Sequence, residues 1–243
     1  MIHAIVTGHS RGLGHALAEQ LLQRPARVLG ISRKGNADLA ARFPDHLKEA
    51  TLDLSDTESL LRWLAGPRLR EFLTGAQTIL LLNNAGGLQP VGPVGTQDAT
   101  AIARNVALNV TAPMILSDAV ARLREPETDC RILHISSGVG RRPCAGWAIY
   151  SATKAALDHH ARSAGLDNTP GLRIASIAPG VVDTDMQTEI RGSDPQKFPP
   201  LTQFLKLKSD ALLSTPAQSA EKILRFALAA DMAHGQIADV REL

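Results

Sequence analysis

Three side chains with acid–base or hydrogen-bonding capacity fall within residues 131–158, RILHISSGVGRRPCAGWAIYSATKAALD. Ser137 follows an apolar run, Ile132 to Ile135, that reads as a buried strand, and a side chain at a strand end can face a cleft. Tyr150 and Lys154 lie four apart in an Ala-rich stretch opened by Trp147, so on a helix they share one face. A phenol can donate a proton to a carbonyl oxygen, but its ordinary pKa of about 10 is too high for good acid–base work near neutrality. A neighbouring ammonium favours the phenolate, and a shift of ~3 units takes ~4 kcal/mol of differential stabilisation. A serine hydroxyl can hold the same oxygen. The set suits reduction of a carbonyl, or oxidation of the matching alcohol. Tyr150 is the single tyrosine of the 243-residue chain, so no other phenol can take the role. The plain alternative is a buried tyrosine and a solvated lysine at helical spacing by coincidence, because short motifs match by chance.

Such a set needs a scaffold and a redox partner. Ile2 to Val6 read as a short buried strand, followed by Thr7-Gly8-His9-Ser10-Arg11-Gly12-Leu13-Gly14 and a helix pattern from Leu13 to about Gln23. Strand, Gly-rich turn and helix make a dinucleotide site: the glycines turn tightly and let pyrophosphate approach the helix N-terminus. The alternative is a helix-capping turn. A second strand, Arg27 to Ile31, ends in Ser32-Arg33, and no carboxylate lies between Glu19 and Asp38. An acidic residue there would grip the ribose 2′-hydroxyl of NAD, whereas arginine accommodates the 2′-phosphate of NADP. Arg11 and Arg33, with Ser32 as a further donor, therefore point to NADP(H). Further strands are expected at Leu47–Leu54, Ile79–Leu82, Leu172–Ala178 and Gln236–Val240. A long helix is expected over 98–124, and another runs from a Thr215 cap and Pro216 to about Ala229. Alternating β and α elements imply an α/β fold, a doubly wound, mostly parallel seven-stranded sheet with helices on both faces. No composition break divides the chain, so residues 1–243 read as one domain, with an irregular segment at 185–215 as a lid beside the site.

Bulk properties narrow the classes. A net charge of +2 with scattered basic residues predicts neither nucleic-acid nor membrane binding. No apolar run is expected to approach the ~20 residues of a membrane span, and the strand pattern at the opening predicts no signal peptide. Cys130 and Cys144 form neither a metal-ligand spacing nor a disulfide framework, and the eight histidines show no zinc pattern. Two free thiols fit a reducing compartment, so a cytoplasmic location and no bound metal are expected.

Ser137, twelve intervening residues, Tyr150, three more and Lys154 resemble the active site of the short-chain dehydrogenase/reductase family. TGxxxGxG at residues 7–14 and Asn83-Asn84-Ala85-Gly86 resemble two further signatures of that family. The resemblance covers essentially the whole chain and implies a single Rossmann-type domain. It implies Asn109, Ser137, Tyr150 and Lys154 as the catalytic set, with Asn109 holding a water that relays protons to Lys154. It places the cofactor on Gly8, Ser10, Arg11, Gly12, Leu13 and Gly14, and on Asp53 and Leu54 at the adenine. Asn83, Ala85, Gly86, Tyr150 and Lys154 follow along the ribose, and Pro179, Gly180, Val182 and Thr184 at the nicotinamide. A homodimer or homotetramer through the long helices is implied as well.

PGVVDTDMQTEIR and FLKLKSDALLSTPAQSAEKIL resemble the sepiapterin and benzil reductase branch, which reduces one carbonyl of a vicinal dicarbonyl or α-hydroxy ketone with NADPH. On that resemblance Asp239 stands where a carboxylate anchors substrate; a solvated carboxylate near a chain end is the alternative. Trp147 and Met186 are candidate pocket walls, or simple packing. Two other readings stay open: a ketoacyl thioester reductase or secondary-alcohol dehydrogenase of the same chemistry, and a non-catalytic NADP-sensing protein.

Overall fold

The computed structural model describes residues 1–243. Seven strands, β1 (Ile2–Thr7), β2 (Ala26–Ser32), β3 (Leu47–Thr51), β4 (Thr78–Asn83), β5 (Asp129–Ile135), β6 (Leu172–Ala178) and β7 (Gln236–Asp239), form one sheet in the order 3-2-1-4-5-6-7. Every pairing is parallel. Strand existence follows from short apolar runs buried on both faces, as a parallel sheet requires. Alternation along them sends neighbouring residues into two different cores. Ala4, Val6, Leu80 and Leu82 pack with α1 (Gly12–Leu22). Ile5, Ile79 and Leu81 face the opposite side. The expected third strand is shorter than its apolar pattern: it ends at Thr51, because Asp53 accepts hydrogen bonds from Ser55 N and Oγ and turns the chain.

The remaining helices are α2 (Ala37–Arg42), α3 (Thr57–Ala65), α4 (Arg68–Leu73), α5 (Ala99–Val106), α6 (Ala112–Leu123), α7 (Ala148–Ala164), α8 (Asp185–Arg191), α9 (Leu201–Ser209) and α10 (Pro216–Leu228). Side-chain caps start several of them: Asn36, Asp56 and Asp98 each accept from a backbone N–H three residues on. Thr215 and Gln218 form a reciprocal capping box ahead of α10, with Pro216 in its first turn. Helices α1 and α10 cover one sheet face; α3, α4 and α6 cover the other.

Helices α5 and α6 are one continuous helix, Ala99–Leu123, interrupted by a π-turn at Ala107–Thr111. Its 25 residues are long and apolar enough to cross a membrane by length and composition, which corrects the expectation that no run approaches that length. Here Leu116, Ala119 and Val120 of this helix are buried against the sheet.

The topology decides where chemistry can occur. From β1 the chain goes outward to β2 and β3, then crosses to β4, so connections diverge at β1 and β4 and leave a crevice at their C-terminal ends. The Gly-rich loop after β1, Asn83 at the end of β4, Ser136-Ser137 after β5 and Pro179-Gly180 after β6 all lie along this edge.

Candidate active site

The first cradle is built around glycine. Gly8 and Gly12 have φ of +71° and +56°, values that L side chains rarely adopt. A Cβ on Gly8 would lie 3.1 Å from Ala85 Cα, and one on Gly12 would lie 3.2 Å from Thr184 Cγ2. The loop is thus pressed between the Asn83–Gly86 turn and the 181–184 segment. Thr7 locks it there: Thr7 Oγ1 accepts from Asn84 N and Ala85 N, each at 2.9 Å, and Thr7 O accepts from Asn84 Nδ2 at 2.8 Å. Helix α1 has no side-chain cap and no acid in its first turn, so its leading N–H groups are left for an anion. This donor set fits the pyrophosphate of a nicotinamide dinucleotide. Leu13 packs on the core behind it, and Leu54 is buried.

At the end of β2, Ser32 Oγ donates to Lys34 O and meets His9 Nδ1 at 3.2 Å. Arg33 is exposed and makes no ion pair. Arg11 is placed differently from expectation: its Nη1 donates to Asp185 at 2.9 Å across the crevice. Both partners are largely exposed, so this pair is weakly held. The carboxylate-free stretch also has a three-dimensional counterpart that linear reading missed. Glu49, opposite Gly30 in the β2–β3 register, reaches this corner. Its Oε1 accepts from Asn36 N at 2.7 Å and lies 2.6 Å from Nε2 of the fully buried His9. The only sequence signal for Glu49 was its place in a strand, and for His9 its place inside the glycine loop. Asn36 also donates to Ser10 O, tying the two corners together. Asp53 is partly exposed, with Arg104 at 3.7 Å.

The second cradle holds the acid–base groups. Ser137 caps a 3₁₀ turn, Gly138–Gly140, whose backbone lies directly on α7: a Cβ on Gly140 would sit 2.9 Å from the Lys154 carbonyl carbon. That contact sets Ser137 against Tyr150 and Lys154, which α7 presents on one face. Tyr150 and Lys154 are both buried. Lys154 Nζ donates to Ile135 O at 2.8 Å and lies 5.7 Å from the Tyr150 ring centroid. A Cβ on Gly86 would stand 3.5 Å from Lys154 Nζ and 3.4 Å from Asn109 Oδ1, so that turn separates the two side chains. Asn109 sits in the π-turn, a distortion that recurs at functional sites. Its amide is fully engaged: Oδ1 accepts from Gly87 N, and the two Nδ2 hydrogens are shared among Gly87 O, Asn105 Oδ1 and Thr153 Oγ1. Asn83 ties the end of β4 to Ser117 and His134.

The electrostatics correct one expectation. Burial pushes the Tyr150 phenol up to about 12, with a hydrogen bond from Ser137 opposing it. Burial also pushes Lys154 down to about 8, with the Asp158 carboxylate one turn away opposing that shift. For both groups burial is the larger cause and favours the neutral form, so the phenol is raised rather than lowered. A pH signature follows. The unfolded lysine keeps its proton to about 10.5 while the folded one releases it near 8, so between these values the unfolded state binds more protons and this group makes stability rise with pH. For Tyr150 the order reverses: between 10 and about 12 the folded state holds the proton longer, and stability falls. Urea midpoints measured from pH 7.5 to 9.5 should show a rise in the wild type that Lys154→Met lacks. Parallel profiles would reject the buried-lysine assignment.

A small apolar core packs against Tyr150, with Trp147 and Phe198 buried in it. Trp147 meets Tyr150 edge-on at 5.6 Å and stacks on Phe198 at 4.5 Å; Phe204 is 5.2 Å away. Leu88 and Ile190 complete this cluster, and Met186 packs against it. Phe198 and Phe204 come from the expected lid. That segment is pinned at its base, where Val182 bridges to Ser214 and Asp183 N donates to Ser214 O. Pro179 O accepts from Ser219 Oγ, which anchors the turn through Gly180 to α10. Thr184 starts α8 beside Gly12.

Asp239 requires another correction. It is not a free carboxylate: Oδ1 accepts from Arg241 N and Nε, and Oδ2 from Arg241 Nη2 at 2.6 Å.

Residues 2–195 match the family model described as short chain dehydrogenase. The chain belongs to the short-chain dehydrogenase/reductase family. It is 32% identical over 254 residues to benzil reductase ((S)-benzoin forming) of Bacillus cereus, covering 100% of both chains. It is 34% identical to sepiapterin reductase of Mus musculus, covering 90% of this chain and 89% of that one. Among solved structures, a short-chain dehydrogenase/reductase from Burkholderia vietnamiensis is 46% identical and covers 100% of this chain and 98% of its own, with a TM-score of 0.73. As a family member, the protein is an oxidoreductase acting on CH–OH or C=O groups of small molecules with a nicotinamide cofactor. The leading N–H groups of the first cradle fit a dinucleotide's pyrophosphate, and the second brings together groups able to carry a proton.

Proposed function

We propose that this protein is an NADPH-dependent carbonyl reductase whose substrate is a ketone flanked by a second oxygen, a vicinal dicarbonyl or α-hydroxy ketone. The observation that carries the substrate class is the partly exposed apolar surface of Met186 and Phe204, packed on the buried cluster that holds Trp147 and Tyr150, which suits an apolar carbonyl compound. Full-length similarity to benzil reductase supports the same class.

The nicotinamide supplies the hydride. Ser137 and Tyr150 hydrogen-bond the carbonyl oxygen and orient the carbon. As the C=O bond is reduced, negative charge grows on that oxygen, and Tyr150 passes its phenolic proton to it. Burial keeps the phenol protonated, so it carries the proton to be passed on, and the more basic alkoxide oxygen that hydride addition creates draws that proton across. Lys154 has one hydrogen bond to Ile135 O and two further N–H donors, one for the cofactor ribose and one toward the phenolate left behind. Asn109 holds the Gly87 backbone and Thr153, which keeps the ribose side of the site in register. Residues 185–215 act as the lid that excludes water.

NADP preference rests on the β2 corner. Arg33 is unpaired there, and Glu49 is engaged by His9 and Asn36 rather than presented to a ribose. Loss of NADPH absorbance on adding benzil tests the reading, and no oxidation with benzil or sepiapterin would sink it. In the same assay Arg33→Ala should raise the KM for NADPH about tenfold, the scale of a charge-assisted hydrogen bond, with little effect on the KM for NADH. Equal effects on both cofactors would reject Arg33 as the phosphate partner. Cytoplasmic placement and pairing of copies through the long helices fit the same reading.

A further inference from the structure

The corner beyond Ser137 is positively charged on its open side. Asp239 ends β7 with its side chain only 5% exposed, while the Arg241 side chain that grips it is 61% exposed. The fork uses Nε and Nη2 on the carboxylate; Nη1 makes no hydrogen bond. The Arg241 side chain lies over two glycines of the active-site edge, its guanidinium at Gly138 and its stem at Gly180. Nη2 is 3.6 Å from where a Cβ on Gly138 would be, and Cγ is 3.8 Å from the same position on Gly180. No side chain at either position stands between the guanidinium and the turn that carries Ser137. The second carboxylate nearby, Asp158, is likewise buried. It accepts from Ser176 Oγ at 2.6 Å and faces Arg141 Nε at 3.4 Å, while Arg141 Nη2 donates to Ala238 O. Arg142 is exposed on the same turn. Lys222 Nζ holds the carbonyls of Val240 and Leu243, which fixes the terminal turn bearing Arg241. Both acids are therefore covered, each with an arginine on its outer side.

A guanidinium locked by a buried carboxylate is pre-oriented, and its free edge matches a planar oxygen pair. We propose that Arg241 is a specificity-determining residue that binds a carboxylate on the substrate, so that the preferred ketones are oxo acids. This inference rests on the carbonyl-reductase reading and names the charge of its substrate.

Phenylglyoxylate and its methyl ester share one reacting ketone and differ in charge. The wild type should favour the acid, and Arg241→Met should lower the acid-to-ester ratio of kcat/KM at least tenfold, mainly through KM. Because that change strands a buried carboxylate, Asp239→Asn/Arg241→Met serves as the charge-balanced second variant and should show the same loss. Arg241→Lys, which keeps the charge without the fork, should recover part of the ratio. Calorimetric binding of phenylglyoxylate to the NADP⁺-loaded protein gives a readout independent of turnover, with affinity at least tenfold weaker in both methionine variants. A ratio and an affinity unchanged within threefold would overturn the role of Arg241 and leave carbonyl reduction standing. Binding that depends on Arg241 without turnover of either compound would support the anion site and count against the reductase reading.

Discussion

Tyr150→Phe should lower kcat by about 10²- to 10⁴-fold, the usual worth of a positioned general acid, while NADPH affinity stays within about twofold. The change removes one oxygen from a side chain already packed against Trp147, so the ring keeps its place. The hydroxyl is bonded to Ser137, so the variant loses one hydrogen bond and should be about 0.5–1.5 kcal/mol less stable while still folding. No other tyrosine exists to substitute for it. Stopped-flow hydride transfer and fluorescence titration of NADPH separate the two effects. Retention of a tenth or more of the wild-type rate would remove Tyr150 from the chemistry, and loss of cofactor affinity in parallel would make its role structural.

The second large effect is expected at Gly14. A Cβ there would overlap the Gly8 carbonyl oxygen and stand 2.5 Å from Asn84 Nδ2. Neither neighbour can yield easily: Gly8 N donates to Ile31 O, and Asn84 Nδ2 donates to Thr7 O. Overpacking of this kind costs about 1–3 kcal/mol, or roughly 2–4 °C of Tm per kcal/mol in a chain of this size. The loop must also open to admit the methyl group, which displaces the N–H groups aimed at pyrophosphate, so NADPH affinity should fall more than tenfold. Gly66→Ala is the control, since a Cβ there meets only the Trp63 carbonyl oxygen at 3.4 Å. A melting curve and cofactor titration for Gly14→Ala that match those of Gly66→Ala would show that the loop is not close-packed.

Much of this was legible before folding because the signals are local. An apolar run of four to seven residues implies a strand, and Thr215-Pro216 marks a helix start through its own backbone chemistry. The four-residue offset of Tyr150 and Lys154 puts them on one helical face whatever surrounds it. The carboxylate-free stretch after β2 is a property of neighbours in the chain, so it could not reveal Glu49, which arrives from another strand. The extent of β3 was likewise overcalled, because side-chain hydrogen bonds to Asp53, not hydropathy, end it.

Residue type and spacing alone determined the order of elements, the glycine cradle and the identity of the serine, tyrosine and lysine, since each depends on periodicity or on one residue's own conformational freedom. Tertiary structure decided the charges: the raised phenol, the lowered lysine, the buried Asp239 beneath Arg241, and Arg11 drawn to Asp185. Desolvation and ion pairing depend on what the rest of the chain places within a few ångströms, and no spacing along a sequence specifies that distance.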